Sequence, residues 1–315
     1  MQINTKLYTW QIILNPNALL HRSSRFWKDI ERKLHESQID YRQHVTSTIE
    51  EAKALIISLC QNSERHFILV GGDGTLNIFA NAVMASQVDS SEVYAALIPL
   101  GTGNDWGRTH GYSKRYLDAV DALVKGHFLT HDVGLVETVI NDNIINARYF
   151  VNIAGFGFDG LVIYHAHKKS SKIFHKQLYL INLLKVLLSY KSQPVTFQSD
   201  VIDATKNIFT IAAGICQYNG NGMRQCPEAI PNDGLLDVVL IEKVSVLKVL
   251  RNIKNLFKGT HVKNLKEVST YRTDYLEITA KPFISGEVEG EMLTSGNYRI
   301  RCLPSAMNFM SVKGS

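Results

Sequence analysis

The stretch best equipped for chemistry is Gly71-Gly72-Asp73-Gly74-Thr75-Leu76-Asn77. Three glycines let the backbone adopt conformations closed to other residues and come close to a ligand. Unbonded N–H groups at a helix start, together with the helix dipole, suit a phosphate. Asp73 narrows the chemistry. A carboxylate repels phosphate unless a cation stands between them or it takes a proton from a substrate. The stretch therefore points to phosphoryl transfer rather than passive phosphate holding. The alternative is a tight strand-to-helix turn in which Asp73 caps the helix. A second loop of the same kind is Gly101-Thr102-Gly103-Asn104-Asp105, following Pro99-Leu100. Its alternative reading is an Asx-type turn. Two such loops after two strands weigh against plain turns.

The elements that position these loops follow from the pattern of apolar residues. Tyr8–Leu14, Tyr41–Val45, His66–Val70 and Tyr94–Ile98 read as strands. Helices are expected from Ser23 to about Leu34, after Thr46-Ser47-Thr48 (Ile49, Ala52, Leu55, Ile56 and Leu59 on one face), over Leu76–Met84 and over Lys114–Val124. Strand and helix in alternation predict a parallel α/β sheet covered on both faces. Ligands of such sheets bind beyond the carboxyl ends of the strands. Asn15-Pro16, Thr46 and both glycine loops fall there.

From about Thr130 the texture changes to short alternating runs: Asp132–Val139, Arg148–Ile153, Val195–Gln198, Ile208–Ala213, Leu236–Ile241 and Tyr275–Ala280. Period-two patterning predicts antiparallel sheets in a β-sandwich. Gly155–Gly160 reads as a turn after a strand, with Asp159 either functional or structural. Ser170–Tyr190 reads as an apolar-faced helix with lysines at its ends. It either lies on an anionic membrane or covers one face of the second sheet.

Bulk properties agree with an ordinary two-domain globular chain. Its 315 residues favour two domains, and 45% apolar with 20% charged residues can build a sizeable core. Four scattered cysteines form no Cys-x-x-Cys pair, which argues against zinc or redox chemistry and fits reduced thiols in a cytosol. No window is apolar for long enough to span a bilayer. A net charge of +5 suits an anionic membrane or phosphate-rich ligands and is too weak to argue for nucleic acid.

The glycine heptad resembles the signature of the diacylglycerol kinase catalytic-domain family, in its bacterial soluble lipid-kinase branch. The same loop recurs more distantly in NAD kinases and phosphofructokinases. Pro99–Trp106, Gly155–Gly160, Pro227–Asp237 and the final Arg299–Pro304 run resemble further blocks of that family. The resemblance implies a Rossmann-like nucleotide-binding domain over residues 1–130, a lipid and metal domain over 131–304, and a tail, 305–315, that returns to the first. By resemblance Asn15-Pro16, Thr46, Gly71–Asn77, Gly101, Thr102, Asn104 and Asp105 hold ATP. The chain continues Asn17-Ala18-Leu19 where the family has Ser-Gly or Ala-Gly. Asp233, with the carbonyls of Ile230 and Leu235, is carried over as a magnesium site, as hard oxygen donors allow.

The family's Asp-Gly-Glu, whose glutamate is its proposed general base, has two candidates here, within Ser285-Gly286-Glu287-Val288-Glu289-Gly290-Glu291. The thirteen-residue distance to Pro304 selects Glu291 and leaves Glu287 as the spare; Glu289 takes the place of the family aspartate. The implied activity is ATP- and Mg2+-dependent phosphorylation of a lipid hydroxyl, most naturally diacylglycerol. The implied enzyme is cytoplasmic and peripherally membrane-bound, with a homodimer allowed. Asp73 would position metal or substrate and Glu291 would take the proton. Two rivals are a kinase of a soluble substrate such as NAD, and a non-catalytic lipid or nucleotide sensor.

Overall fold

The computed structural model of the chain describes residues 1–14, 23–101, 103–113, 115–168 and 184–312. It divides into two compact units. The first comprises Met1–Val133, Pro231–Asp233 and Pro304–Ser315, the second Gly134–Ile230 and Gly234–Leu303.

In the first unit, β1 (Trp10–Leu14), β2 (Tyr41–Val45), β3 (His66–Gly71) and β4 (Tyr94–Pro99) lie parallel in the order β2-β1-β3-β4. β1 is buried along its whole length, and β3 and β4 at all but their first residue. They are continuous apolar runs, as a parallel sheet covered on both faces requires. On one face Trp10, Ile12, Ile68, Val70, Ala96 and Ile98 pack with Ile30 and Leu34 of α1 (Ser23–Glu36). Ala119, Val120 and Leu123 of α5 (Tyr116–Lys125) join the same cluster. Elsewhere in this unit the Phe67 ring packs on Phe79 of α3 (Asp73–Ala85). α2 (Ile49–Gln61) starts where the Thr48 hydroxyl accepts the Glu51 N–H and the Glu51 carboxylate accepts that of Ser47. This reciprocal cap fixes where the chain leaves β2, and hence where Thr46 lies. The end of the long strand β15 (Asn297–Met310) pairs in parallel with β4 through Asn308 and Phe309.

The second unit is an antiparallel β-sandwich. β9 (Asp203–Gly214) organises it: its first half pairs with β8 (Gln193–Gln198), its second with both β7 (Ile153–Gly157) and β10 (Leu236–Glu242). β7 also pairs antiparallel with β13 (Gly286–Val288), which forms a hairpin with β14 (Glu291–Met292); β5 (Phe128–Ile140) pairs with the strand that follows it, β11 (Val268–Thr273) with β10, and β12 (Tyr275–Ala280) with β8. The core gathers Phe156, Phe197, Ile211, Ile278, Val288 and Tyr298, all almost fully buried.

Two expectations are corrected. Arg148–Ile153 is not one strand. β6 (Asn143–Phe150) ends and β7 begins three residues later, because Glu289 Oε1 takes the N–H groups of Val151 and Asn152, each at 2.7 Å. Nor is Gly155–Gly160 a turn: Gly155–Gly157 belong to β7, and Phe158 opens α6 (Phe158–Lys168). Of the apolar helix expected over Ser170–Tyr190, residues 170–183 lie outside the described residues, and 184–189 are helical.

Candidate active site

The four parallel strands end at Leu14, Val45, Gly71 and Pro99, and the predicted ligand loops of the first unit start from those ends. The two glycine loops are interlocked. A side chain on Gly101 would place its Cβ 2.8 Å from the Gly72 Cα, and one on Gly72 would stand 3.0 Å from the Gly101 Cα. Backbone lies on backbone there, and only glycine fits. The Gly71 carbonyl accepts the N–H groups of Leu100 and Gly101 at 2.8 and 3.2 Å.

Asp73 ties the loops from the other side. α3 begins at Asp73, earlier than the apolar pattern suggested, with Gly72 as an N-cap that has no side chain to offer. The Asp73 carboxylate caps a different helix. Oδ2 accepts the Asp105 N–H at 2.9 Å and Oδ1 the Trp106 N–H at 3.2 Å, at the start of α4 (Asp105–Thr109). The capping role posed as an alternative is therefore present, across loops rather than within one. Burial pushes the Asp73 pKa up, while those N–H groups and the nearby Arg108 guanidinium pull it back. Asn104 completes the clasp: it sits in the left-handed region (φ 49°), and its Nδ2 donates to the Gly101 carbonyl at 3.0 Å. Trp106 is fully buried, and its indole N–H donates to His131 Nε2 at 3.1 Å. Burial lowers the His131 pKa to about 4, which keeps the imidazole neutral and able to accept.

Three features fit this end of the sheet to a polyphosphate ligand. A Cβ on Gly74 would meet nothing within 4 Å, although Gly74 lies in the first turn of α3, where backbone N–H groups have no helical partner. The Thr46 hydroxyl is buried with no hydrogen-bond partner, and so is Asn104 Oδ1. Buried polar atoms of this kind are costly unless something satisfies them. Gly71 is required for another reason, since a Cβ there would stand 2.1 Å from Thr75 Oγ1. Leu76 and Asn77 are buried along α3 and serve its packing. Asn15, Pro16 and Thr102 lie outside the described residues.

The second unit gathers one buried and two half-buried carboxylates that the sequence did not bring together. Glu287 on β13 faces Gly155 on β7, and a Cβ on Gly155 would stand 2.7 Å from Glu287 Oε1 and 2.9 Å from Asp159 Cβ. The Glu287 carboxyl accepts from Asn219 Nδ2 at 3.2 Å and from the Gly290 N–H at 2.7 Å. Burial, with the charges of Asp159 and Glu289, raises its pKa to about 8. Asp159, half-buried and bonded to Gln225 Nε2 at 2.9 Å, is raised by desolvation to about 6. Glu289, at the hairpin tip with φ 51°, holds the N–H groups of Val151 and Asn152. Glu291 differs from all of these: it is exposed on β14, and its carboxylate has no partner among the described residues. In the loop after Pro227, Ile230 and Asp233 are exposed and Leu235 is half-buried.

Comparison with known proteins gives this geometry its family. Residues 9–136 match the diacylglycerol kinase catalytic domain, and residues 152–311 match the YegS C-terminal NAD kinase beta sandwich-like domain. The chain belongs to the lipid-kinase family that joins these two domains. It is 27% identical over 276 residues to the probable lipid kinase YegS-like of Yersinia enterocolitica, covering 88% of each chain. It is 29% identical over 283 residues to a diacylglycerol kinase of Mycobacterium tuberculosis, covering 88% of this chain and 87% of that one. In fold it is similar to a crystal structure of a diacylglycerol kinase from Bacillus anthracis, with a TM-score of 0.72 over 96% of both chains at 18% identity. No helix among the described residues is long and apolar enough to cross a membrane.

Proposed function

We propose that the protein transfers the γ-phosphoryl group of ATP to the hydroxyl of a lipid alcohol, diacylglycerol before others, giving phosphatidic acid. The observation that carries this reading is the interlock of the two glycine loops. Asp73 and the Gly72–Gly101 contact hold backbone N–H groups at the ends of parallel strands, and Gly74 leaves open space beside them. Such preorganised donors stabilise a transferring phosphoryl group without having to rearrange. Thr46 offers its unpartnered hydroxyl to the same nucleotide. Asp73 acts as a positioning residue, through the two loops it joins.

Of the two candidate bases, Glu291 suits proton abstraction. Both its oxygens are available, whereas Glu287 uses its oxygens within the fold and, with a pKa of about 8, is largely protonated at neutral pH. As the acceptor oxygen bonds to phosphorus, the bond from phosphorus to the leaving ADP oxygen breaks and the hydroxyl proton passes to Glu291. In a loose transition state that proton moves late, so orientation outweighs basicity. Magnesium, when bound, would neutralise phosphate charge. Asp233, with the carbonyls of Ile230 and Leu235, is the oxygen donor set we assign to a metal that orders the loop after Pro227. The test is incubation of the purified protein with labelled ATP, magnesium and diacylglycerol in detergent micelles, followed by mass spectrometry of the product. Labelled phosphatidic acid, lost in Glu291→Gln while ATP still binds, is the expected result. Phosphorylated NAD with no lipid product would overturn the reading.

A further inference from the structure

One helix of the second unit is built unlike the others. Val246–Lys258 (VLKVLRNIKNLFK) starts at Ser245, whose hydroxyl accepts the Lys248 N–H, and stops at Gly259 in the left-handed region. It is about 20 Å long and buries none of its residues. Leu247, Leu250, Ile253 and Phe257 stand 56%, 45%, 38% and 48% exposed. At about 100° per residue these four fall within an arc of about 120°. Large apolar side chains scattered over a surface need no explanation, but a row on one helix face does. Arg251, Lys254 and Lys258 lie along the edge of the row beside Leu247, are exposed, and pair with no acidic group among the described residues. The helix contains no Asp or Glu at all.

The adjoining side of the helix, with Val246 in its first turn, is committed. Val246 and Val249 pack into a cluster with Phe158, Phe209, Val186 and Leu187, and Lys248 is held by Glu267 at 2.6 Å. The helix is thus fastened through its first turn and the flank around Val249, and leaves the row beyond exposed. The turn at 184–189 enters the same cluster through Val186 and Leu187 and leaves Leu184 and Leu188 exposed.

We infer that the outer face of Val246–Lys258 docks the protein on an anionic lipid bilayer. An apolar row edged on one side by unpaired cations, with no acids, matches the boundary between acyl chains and anionic headgroups: the row enters the first, the cations meet the second. A second copy of this chain fits the face poorly. A two-fold contact would bring Arg251, Lys254 and Lys258 of both copies together with nothing on the helix to neutralise them. The inference deepens the lipid-kinase reading, since a diacylglycerol acceptor resides in a bilayer, and it rests on that reading only for this motive.

The experiment measures co-sedimentation with vesicles of phosphatidylcholine alone and of phosphatidylcholine mixed with phosphatidylglycerol, without ATP. The wild type should bind the anionic vesicles, less so as salt rises, and leave the neutral ones. Leu250→Glu/Phe257→Glu should weaken binding by about tenfold or more, and Lys254→Gln/Lys258→Gln by about fivefold per cation. The substituted side chains are exposed, so both variants should melt with the wild type, and a Lys254→Arg/Lys258→Arg variant should bind as the wild type does. Unchanged vesicle binding by the double glutamate variant, or equal binding to neutral vesicles, overturns the inference. So does light scattering that shows a wild-type dimer broken by Leu250→Glu/Phe257→Glu. A kinase arm separates the two readings. Transfer to a short-chain, water-soluble diacylglycerol should survive in the double variant, while transfer to bilayer diacylglycerol falls. No transfer to any acceptor, with vesicle binding intact, would refute the kinase reading and leave the docking face standing.

Discussion

Asp73 in the first unit and Glu287 in the second are carboxyls drawn out of water to very different ends. Burial pushes both pKa values up. Asp73 meets two backbone N–H groups at the head of a helix, with an arginine beside it. Glu287 meets one backbone N–H and one side-chain amide, with Asp159 and Glu289 adding negative charge, and rises to about 8. Burial is the largest cause in both, but the partners then act in opposite senses: around Asp73 they pull the pKa back, whereas the charges of Asp159 and Glu289 push that of Glu287 further up. Asp73 clasps two ligand loops, and Glu287 belongs to a core.

The largest effect that tests this contrast is Asp73→Asn. An amide cannot accept both N–H groups as a carboxylate does, so ATP turnover should fall by about 100-fold through misplaced loops. Glu287→Gln, which copies the protonated form, should leave turnover nearly unchanged at pH 7; a loss equal to that of Asp73→Asn would erase the distinction. Next in size is Gly101→Ala. Its Cβ meets the Gly72 backbone at 2.8 Å, so both the melting temperature and turnover should drop, by about 1–3 kcal/mol in stability. Gly74→Ala should separate binding from folding. With open space at its Cβ, the variant should be as stable as the wild type or up to about 1 kcal/mol more so, while its KM for ATP rises.

A smaller effect follows from proton linkage. The folded pKa of Glu287, about 8, lies above its ordinary 4.5, so its protonated form stabilises the fold fully below about 4.5 and that contribution is lost as pH rises towards about 8. The wild-type melting temperature should therefore decline across that window, and Glu287→Gln should flatten the decline. Asp159, raised to about 6, adds to the same slope at its lower end.

Much of the first unit was legible. Tyr41–Val45 is a strand to the residue, and Thr48 caps α2 as its hydroxyl and spacing suggest. Those signals are local, set by apolar period and cap chemistry. The helix start at Asp73 was hidden because glycines weaken helices, and Gly74 stands in its first turn. The break at Val151-Asn152 could not be read locally, since its cause, Glu289, lies more than 130 residues away. The buried partnership of Glu287 with Asn219 likewise depends on which strands become neighbours. Val246–Lys258 was not singled out in the sequence; its apolar residues recur three and four apart, a pattern that does not itself show that nothing among the described residues covers them.

The contact between Gly72 and Gly101 has a consequence for engineering. Neither loop can be transplanted alone: a heptad moved onto another parallel sheet would arrive without the neighbour that gives it shape. A working graft must carry both adjoining strands and the aspartate that fastens their turns. Within the chain, a larger residue at either glycine would need a compensating change in the other loop.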